Sequence, residues 1–210
     1  MTDLKQTHLR NLSAAVAQFR LATAVRLAVT FEKQPLDLPL TWTHGHHTAR
    51  YLDLAMTQRS AESAAAHLQR TATFLMASTA LEALKAVLPN PKSHSEPNVV
   101  AAYQIARLVR NAFAHAPFVP VWRIDSDCHD RVFRLASLIT LNTAGLDGQP
   151  FDWRQYGGPL ALLSLATFVA EDILGGQRPS GREIPLPETV YVQQGDLIFK
   201  RVTDSDHSSP

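Results

Sequence analysis

Asn98-Val99-Val100-Ala101-Ala102-Tyr103-Gln104-Ile105-Ala106-Arg107-Leu108-Val109-Arg110-Asn111-Ala112-Phe113-Ala114-His115-Ala116 is the stretch whose reading decides the fold. At about 100° per residue, Ala101, Ile105, Leu108, Val109, Ala112 and Phe113 fall on one side of a helix. Tyr103, Gln104, Arg107, Arg110, Asn111 and His115 fall on the other, within an arc of roughly 140°. A broad apolar stripe opposite a polar one predicts a helix packed against a core. Asn98 is the expected N-cap. Pro117 pushes Ala116 away from α geometry, which places His115 in the last turn.

Upstream, Leu12, Val16, Phe19, Thr23 and Leu27 recur at helical spacing and predict a first helix over 4–32, ending before Pro35 and Pro39. A second long helix is expected from about Thr48 to Leu88, with Leu68, Phe74, Leu75, Leu81, Leu84 and Leu88 on one broad face and Pro89-Asn90-Pro91 as its stop. Downstream, Val121-Trp122-Arg123-Ile124 and Val132-Phe133-Arg134-Leu135 read as two short strands around the polar turn 125–130, a candidate hairpin. A fourth helix is expected over Leu160–Leu174, stopped by Gly175-Gly176. Beyond Gln177 come a linker and a short hairpin, 190–192 with 197–199. The expectation is a mainly α protein: one helical domain over 1–176, with a hairpin-bearing insert at about 119–151, then a tail over 177–210.

Composition narrows the functional classes. Twenty basic and nineteen acidic side chains nearly cancel, so a broad electrostatic footprint for DNA is disfavoured and any nucleic-acid contact has to come from a local arginine cluster. Cys128 is the only cysteine, which excludes an internal disulfide and a cysteine-based zinc cage within one chain. The amino terminus lacks the apolar core of a secretory signal, and the apolar run 160–174 is short for a bilayer. A reducing, cytoplasmic address is the expectation, with no membrane partner.

The polar side of the third helix brings together the Arg107 and Arg110 guanidinium groups, the Asn111 amide and the His115 imidazole. Asn111 and His115 are four apart and therefore neighbours. Cleaving RNA needs a proton taken from the 2′-hydroxyl, a proton given to the leaving oxygen, and relief of charge on the phosphorane. Histidine exchanges protons near neutral pH, and arginine offers phosphate a planar, permanently charged fork. The helix dipole favours the protonated form of a histidine near the C-terminus. No metal or other cofactor is required. Residue types alone leave a second reading open: an ordinary solvated helix face with a histidine capping its end.

Arg110-Asn111-Ala112-Phe113-Ala114-His115 resembles the Arg-x4-His signature of the HEPN superfamily (higher eukaryotes and prokaryotes nucleotide-binding domain), in its Arg-Asn-x-x-x-His form. The preceding long helix with Leu81-Glu82-Ala83-Leu84-Lys85 and the proline-bearing loop before the motif helix are similar too. The likeness covers roughly 4–115, plus the closing helix if it completes the bundle. It implies an antiparallel helical bundle that forms a homodimer, the two motif helices meeting across a groove. In catalytic members that groove is a metal-independent ribonuclease site, often in toxin–antitoxin or antiviral systems, with an antitoxin protein as partner. Carried over by position, Arg110 would hold and stabilise the phosphate, His115 would act as acid or base, and Asn111 would orient His115 or the backbone. Arg107 and Tyr103 would contact substrate, and Glu82 would support the site from the neighbouring helix. The insert and the tail depart from the minimal family pattern. Other members are non-catalytic modules that bind a nucleotide, a nucleic acid or a protein.

Other clusters have plainer structural roles. His44, His46 and His47 could ligate a transition metal, but adjacent histidines around a glycine rarely converge on one ion without a further ligand. Asp125-Ser126-Asp127-Cys128-His129-Asp130 has alternating oxygen donors without the glycine and distal glutamate of a calcium loop. Trp122, Arg123, Arg131 and Arg134 could extend an RNA surface, with half-buried packing favoured for Trp122. Cys128 among acidic residues is a poor nucleophile, and Gly157-Gly158-Pro159 lacks the lysine of a phosphate loop.

Overall fold

A computed structural model describes residues 2–34, 41–50, 56–135, 139–176, 189–194 and 197–202. The protein is mainly helical. In chain order the elements are α1 (Thr2–Thr30), β1 (Thr41–His44), β2 (His47–Arg50), α2 (Gln58–Val87), α3 (Pro97–Ala114), β3 (Val132–Leu135), β4 (Ile139–Asn142), α4 (Pro159–Phe168), β5 (Thr189–Gln194) and β6 (Leu197–Val202). The strands form three two-stranded antiparallel ladders, each between consecutive strands.

The helices bury an alanine-rich interior. On α1, Leu12, Ala15, Phe19 and Ala22 are buried, while Val16, Thr23 and Leu27 lie half-buried at the edge. On α2 the buried positions include Ala65, Ala72, Ala77, Ala80, Ala83 and Leu84, whereas Leu68 and Leu75 are exposed. The leucine face expected for this helix is thus turned partly outward. Alanine lets the α1 and α2 backbones approach closely, and a helix with alanines on one side and leucines on another packs on the side that fits best. Among the described residues α1 alone has the length and hydropathy to cross a membrane, and a third of that stretch is buried within the protein.

Three boundaries differ from expectation. The helix expected from Thr48 begins at Gln58 instead, where the Thr57 hydroxyl accepts the Ser60 N–H at 3.2 Å as an N-cap. Thr48 belongs to β2, facing Thr43 across a hairpin whose turn is Gly45-His46. Gly45 has φ 59°, the left-handed conformation that a tight two-residue hairpin assigns to glycine. At the start of α3 the cap is Glu96, not Asn98, because Pro97 occupies the first helical position, where its missing N–H costs nothing. Finally, β3 pairs with β4 rather than with 121–124. Phe133 and Leu135 alternate with exposed neighbours, and Ile139 and Leu141 present the matching buried pattern. Val121 instead makes an isolated bridge to Pro150.

The expected α4 stop is present. The helix widens into a π turn over Val169–Ile173, and Gly175 follows with φ 74°. The tail hairpin expected at 190–192 and 197–199 corresponds to β5 and β6, its turn residues 195–196 lying outside the described residues. The rest of the expected linker and tail, 177–188 and 203–210, also lies outside them.

The segment after α3 is core, not appendage. Phe151 sits among Phe113 (ring centroids 4.7 Å apart), Trp122 (5.0 Å), Trp153 (5.5 Å) and Tyr156 (5.9 Å). Trp122 is fully buried and its indole N–H donates to Gln155 Oε1 at 2.6 Å, which removes it as a surface for stacking bases. The insert therefore locks onto the end of α3 that carries the motif.

Candidate functional site

The polar side of α3 divides into an inner part covered by protein and an outer end left in solvent. The cover is the loop around the short 3₁₀ turn Ser126–Cys128. Arg107 Nη2 donates to both Asp127 oxygens, at 2.9 and 3.0 Å, and to Cys128 Sγ at 3.0 Å. Its Nε lies 3.2 Å from Asp125 Oδ2. Asp127 is held from its other side by Lys92 at 2.7 Å. Gln104, expected on the polar face, is buried and accepts the Cys128 thiol at 3.4 Å. Thr143 anchors the loop from behind: its hydroxyl accepts the Arg131 N–H at 2.9 Å and donates to the Cys128 carbonyl.

The electrostatics of the cover are self-contained. The Lys92 ion pair, reinforced by Arg107 and opposed by partial burial, lowers the Asp127 carboxyl to about 2. Burial pushes the Cys128 thiol up against the pull of Arg107, so the thiol is a weak nucleophile, as its sequence context suggested. Because the folded value of Asp127 lies below the ordinary value of about 4 for an unfolded chain, its ion pairs contribute stability above that pH. They lose it as pH falls toward the folded value. Asp127→Asn should therefore lower the melting temperature at neutral pH. The gap to wild type should close between about pH 4 and pH 2; thermal melts across that range check it, and a gap persisting at the acid end would contradict the ion-pair account.

At the outer end, Arg110 and His115 are both exposed. Arg110 Nη1 donates to Asn111 Oδ1 at 3.3 Å, and Asn111 Nδ2 donates to Asp125 Oδ2 at 3.2 Å. Asp125 thus fixes the amide that orients Arg110. His115 is the C-cap of α3, in right-handed backbone geometry, and its ring has no hydrogen-bond partner among the described residues. The chain then turns back, and Val121 N–H donates to the Ala112 carbonyl at 3.1 Å. Phe118 and Val119 stand out in solvent, 59% and 71% exposed. From α2, Arg70 Nη1 donates to the Phe118 carbonyl at 3.2 Å and the His67 ring meets Phe118 edge-on at 5.2 Å.

The structure keeps Arg110, Asn111 and His115 on the last turns of one helix, as expected, holds Arg107 beside Asn111 through their shared partner Asp125 Oδ2, and sets Tyr103 and Glu82 apart from them. Arg107 is engaged by Asp125 and Asp127 rather than left for substrate. Tyr103 is half-buried beneath it, the guanidinium 5.9 Å from the ring centroid. Glu82 pairs with Lys85 at 3.2 Å and lines a cleft with His8, Asn11 and Gln18 of α1. It lies twelve residues along α2 from Arg70, about 18 Å at helical rise, so it does not support the motif end. Sequence reading missed Asp125 as the partner of Asn111, and His67 and Arg70 as partners of Phe118 just past the motif. The alternating acids of 125–130 are the visible signal for Asp125, since carboxylates there can pair with the arginines of α3 as well as ligate a metal.

His44, His46 and His47 lie at the β1–β2 turn, His44 and His47 opposite each other in the ladder. Among the described residues no three His, Cys, Asp or Glu side chains are grouped as a metal site would require. The chain matches no family model, no curated protein and no solved structure.

Proposed function

We propose that the protein is a metal-independent RNA endonuclease of the HEPN type, built on an antiparallel helical bundle and acting as a homodimer in the cytoplasm. One observation carries the reading: of Tyr103, Gln104, Arg107, Arg110, Asn111 and His115 along the polar side of α3, Arg110 and His115 are the two left exposed, with Asn111 and Asp125 bracing the arginine. In the reaction the 2′-oxygen attacks phosphorus and the bond to the 5′-oxygen breaks, giving a cyclic phosphate and a 5′-hydroxyl. His115 moves a proton at one of these oxygens, and the same residue of a second copy moves the other. Arg110 offsets charge on the phosphorane. The exposed Phe118 and Val119 beside His115 supply an apolar flank for that second copy. A toxin or defence effector, restrained by an antitoxin protein in the first case, is the role this reading assigns.

A non-catalytic HEPN module is the second reading, favoured by a different observation. Asp125 and Asp127 neutralise Arg107 and place carboxylates beside the motif, which weakens the pull of this face on a polyanion. Incubation with varied RNAs in EDTA separates the two. The enzyme should leave 2′,3′-cyclic phosphate ends with EDTA present. Intact RNA across all substrates, from folded protein, would favour the binding module.

A further inference from the structure

The opposite end of α3, about 27 Å from His115 at helical rise, carries a second basic feature that the nuclease reading does not use. A cleft of 690 Å³ opens between the first turns of α3 and strand β3. His94, Ser95, Arg131 and Arg134 supply its polar groups, and Val100 and Phe133 are among its apolar ones. None of its lining residues is acidic. Neither Arg131 nor Arg134 has a carboxylate partner among the described residues, in contrast to Arg107 one loop away. His94 Nδ1 accepts the Glu96 N–H at 3.1 Å, so a neutral imidazole here keeps its proton on Nε2, free to donate. The α3 N-terminus at the cleft has no side-chain cap, which adds the positive end of the helix dipole to the same space.

We propose that this cleft binds a small phosphorylated ligand: the phosphate group on the guanidinium groups of Arg131 and Arg134, and an apolar body against Val100 and the exposed Val132. Two unpaired guanidinium groups suit phosphate oxygens through forked, charge-assisted hydrogen bonds. The volume lies within the range of about 300–1,000 Å³ for small-molecule pockets, and the mixed lining suits a ligand that is anionic at one end only. A strand of RNA running here from Arg110 would have to pass the carboxylates of Asp125 and Asp127. The cleft is therefore separate from the motif end.

Calorimetric titration of the full chain with ADP and with inorganic pyrophosphate tests this, using Arg131→Gln/Arg134→Gln and Val100→Trp as variants and circular dichroism to check folding. At least one probe should bind wild type. That binding should weaken by roughly tenfold or more for each guanidinium lost, and the tryptophan that fills the cleft should also weaken it. If neither probe binds at millimolar concentration, the proposal fails. It fails equally if binding survives either folded variant, since general surface charge would then explain it. Binding of single-stranded RNA alone, lost in the arginine variant, would overturn it in favour of an RNA surface.

Discussion

Replacing His115 by alanine should reduce RNA cleavage by about 10²–10⁴-fold, the range for losing a positioned acid or base, while leaving the protein folded. The side chain is exposed and makes no hydrogen bond among the described residues, so its removal should change stability by no more than about 0.5 kcal/mol. Arg110→Ala should cost about 10²–10³-fold, as for other groups that stabilise developing charge. Arg110→Lys should recover part of that loss, because lysine keeps the charge but not the fork. Initial rates on a fluorescent RNA, measured beside urea unfolding of each variant, check all three. Wild-type rates in the histidine variant would end the nuclease proposal, whereas equal losses of rate and stability would mean that both residues act through the fold.

The largest effect on stability is expected at Phe151. Its ring is buried and touches Phe113, Trp122, Trp153 and Tyr156 at once, so alanine there loses the transfer energy and leaves a cavity at the centre of four aromatic rings. A loss of about 3–5 kcal/mol is the scale for such a truncation. Val119→Ala, close by but largely exposed, should stay within about 0.5 kcal/mol. Urea unfolding with an unchanged denaturant slope would give both values directly. A small loss at Phe151 would mean that the insert is not part of the core. Because Phe113 lies two residues before His115 on the same helix, Phe151→Ala should also loosen the motif turn, and cleavage should fall well below the melting transition.

These two sites show how differently the sequence speaks about its own parts. The positions of α1, α3 and α4 were legible because their causes are local: a 3.6-residue recurrence of apolar side chains, Pro117 just past the end of α3, Gly175-Gly176 past that of α4. The grouping of Arg110, Asn111 and His115 was legible for the same reason, since residues four or five apart on a helix cannot be far from each other. The partner of Val132–Leu135 was not, because the 121–124 and 139–142 segments offer similar short apolar patterns. The choice falls to Trp122, whose bulk is buried under Phe151 and beside Gln155 rather than paired in a ladder.

What the residues alone determined is therefore a helical protein with an arginine and a histidine at one helix end. Only the tertiary structure decided which polar groups stay available to a ligand. A guanidinium has the same charge in the sequence whether water or a carboxylate faces it, and the difference between Arg107 and Arg110 is made by Asp125 and Asp127, brought over from a loop eighteen to twenty residues beyond Arg107. The same folding of distant segments against one helix left Arg131 and Arg134 unpaired at its other end, through contacts between residues far apart in the chain, which no local periodicity encodes.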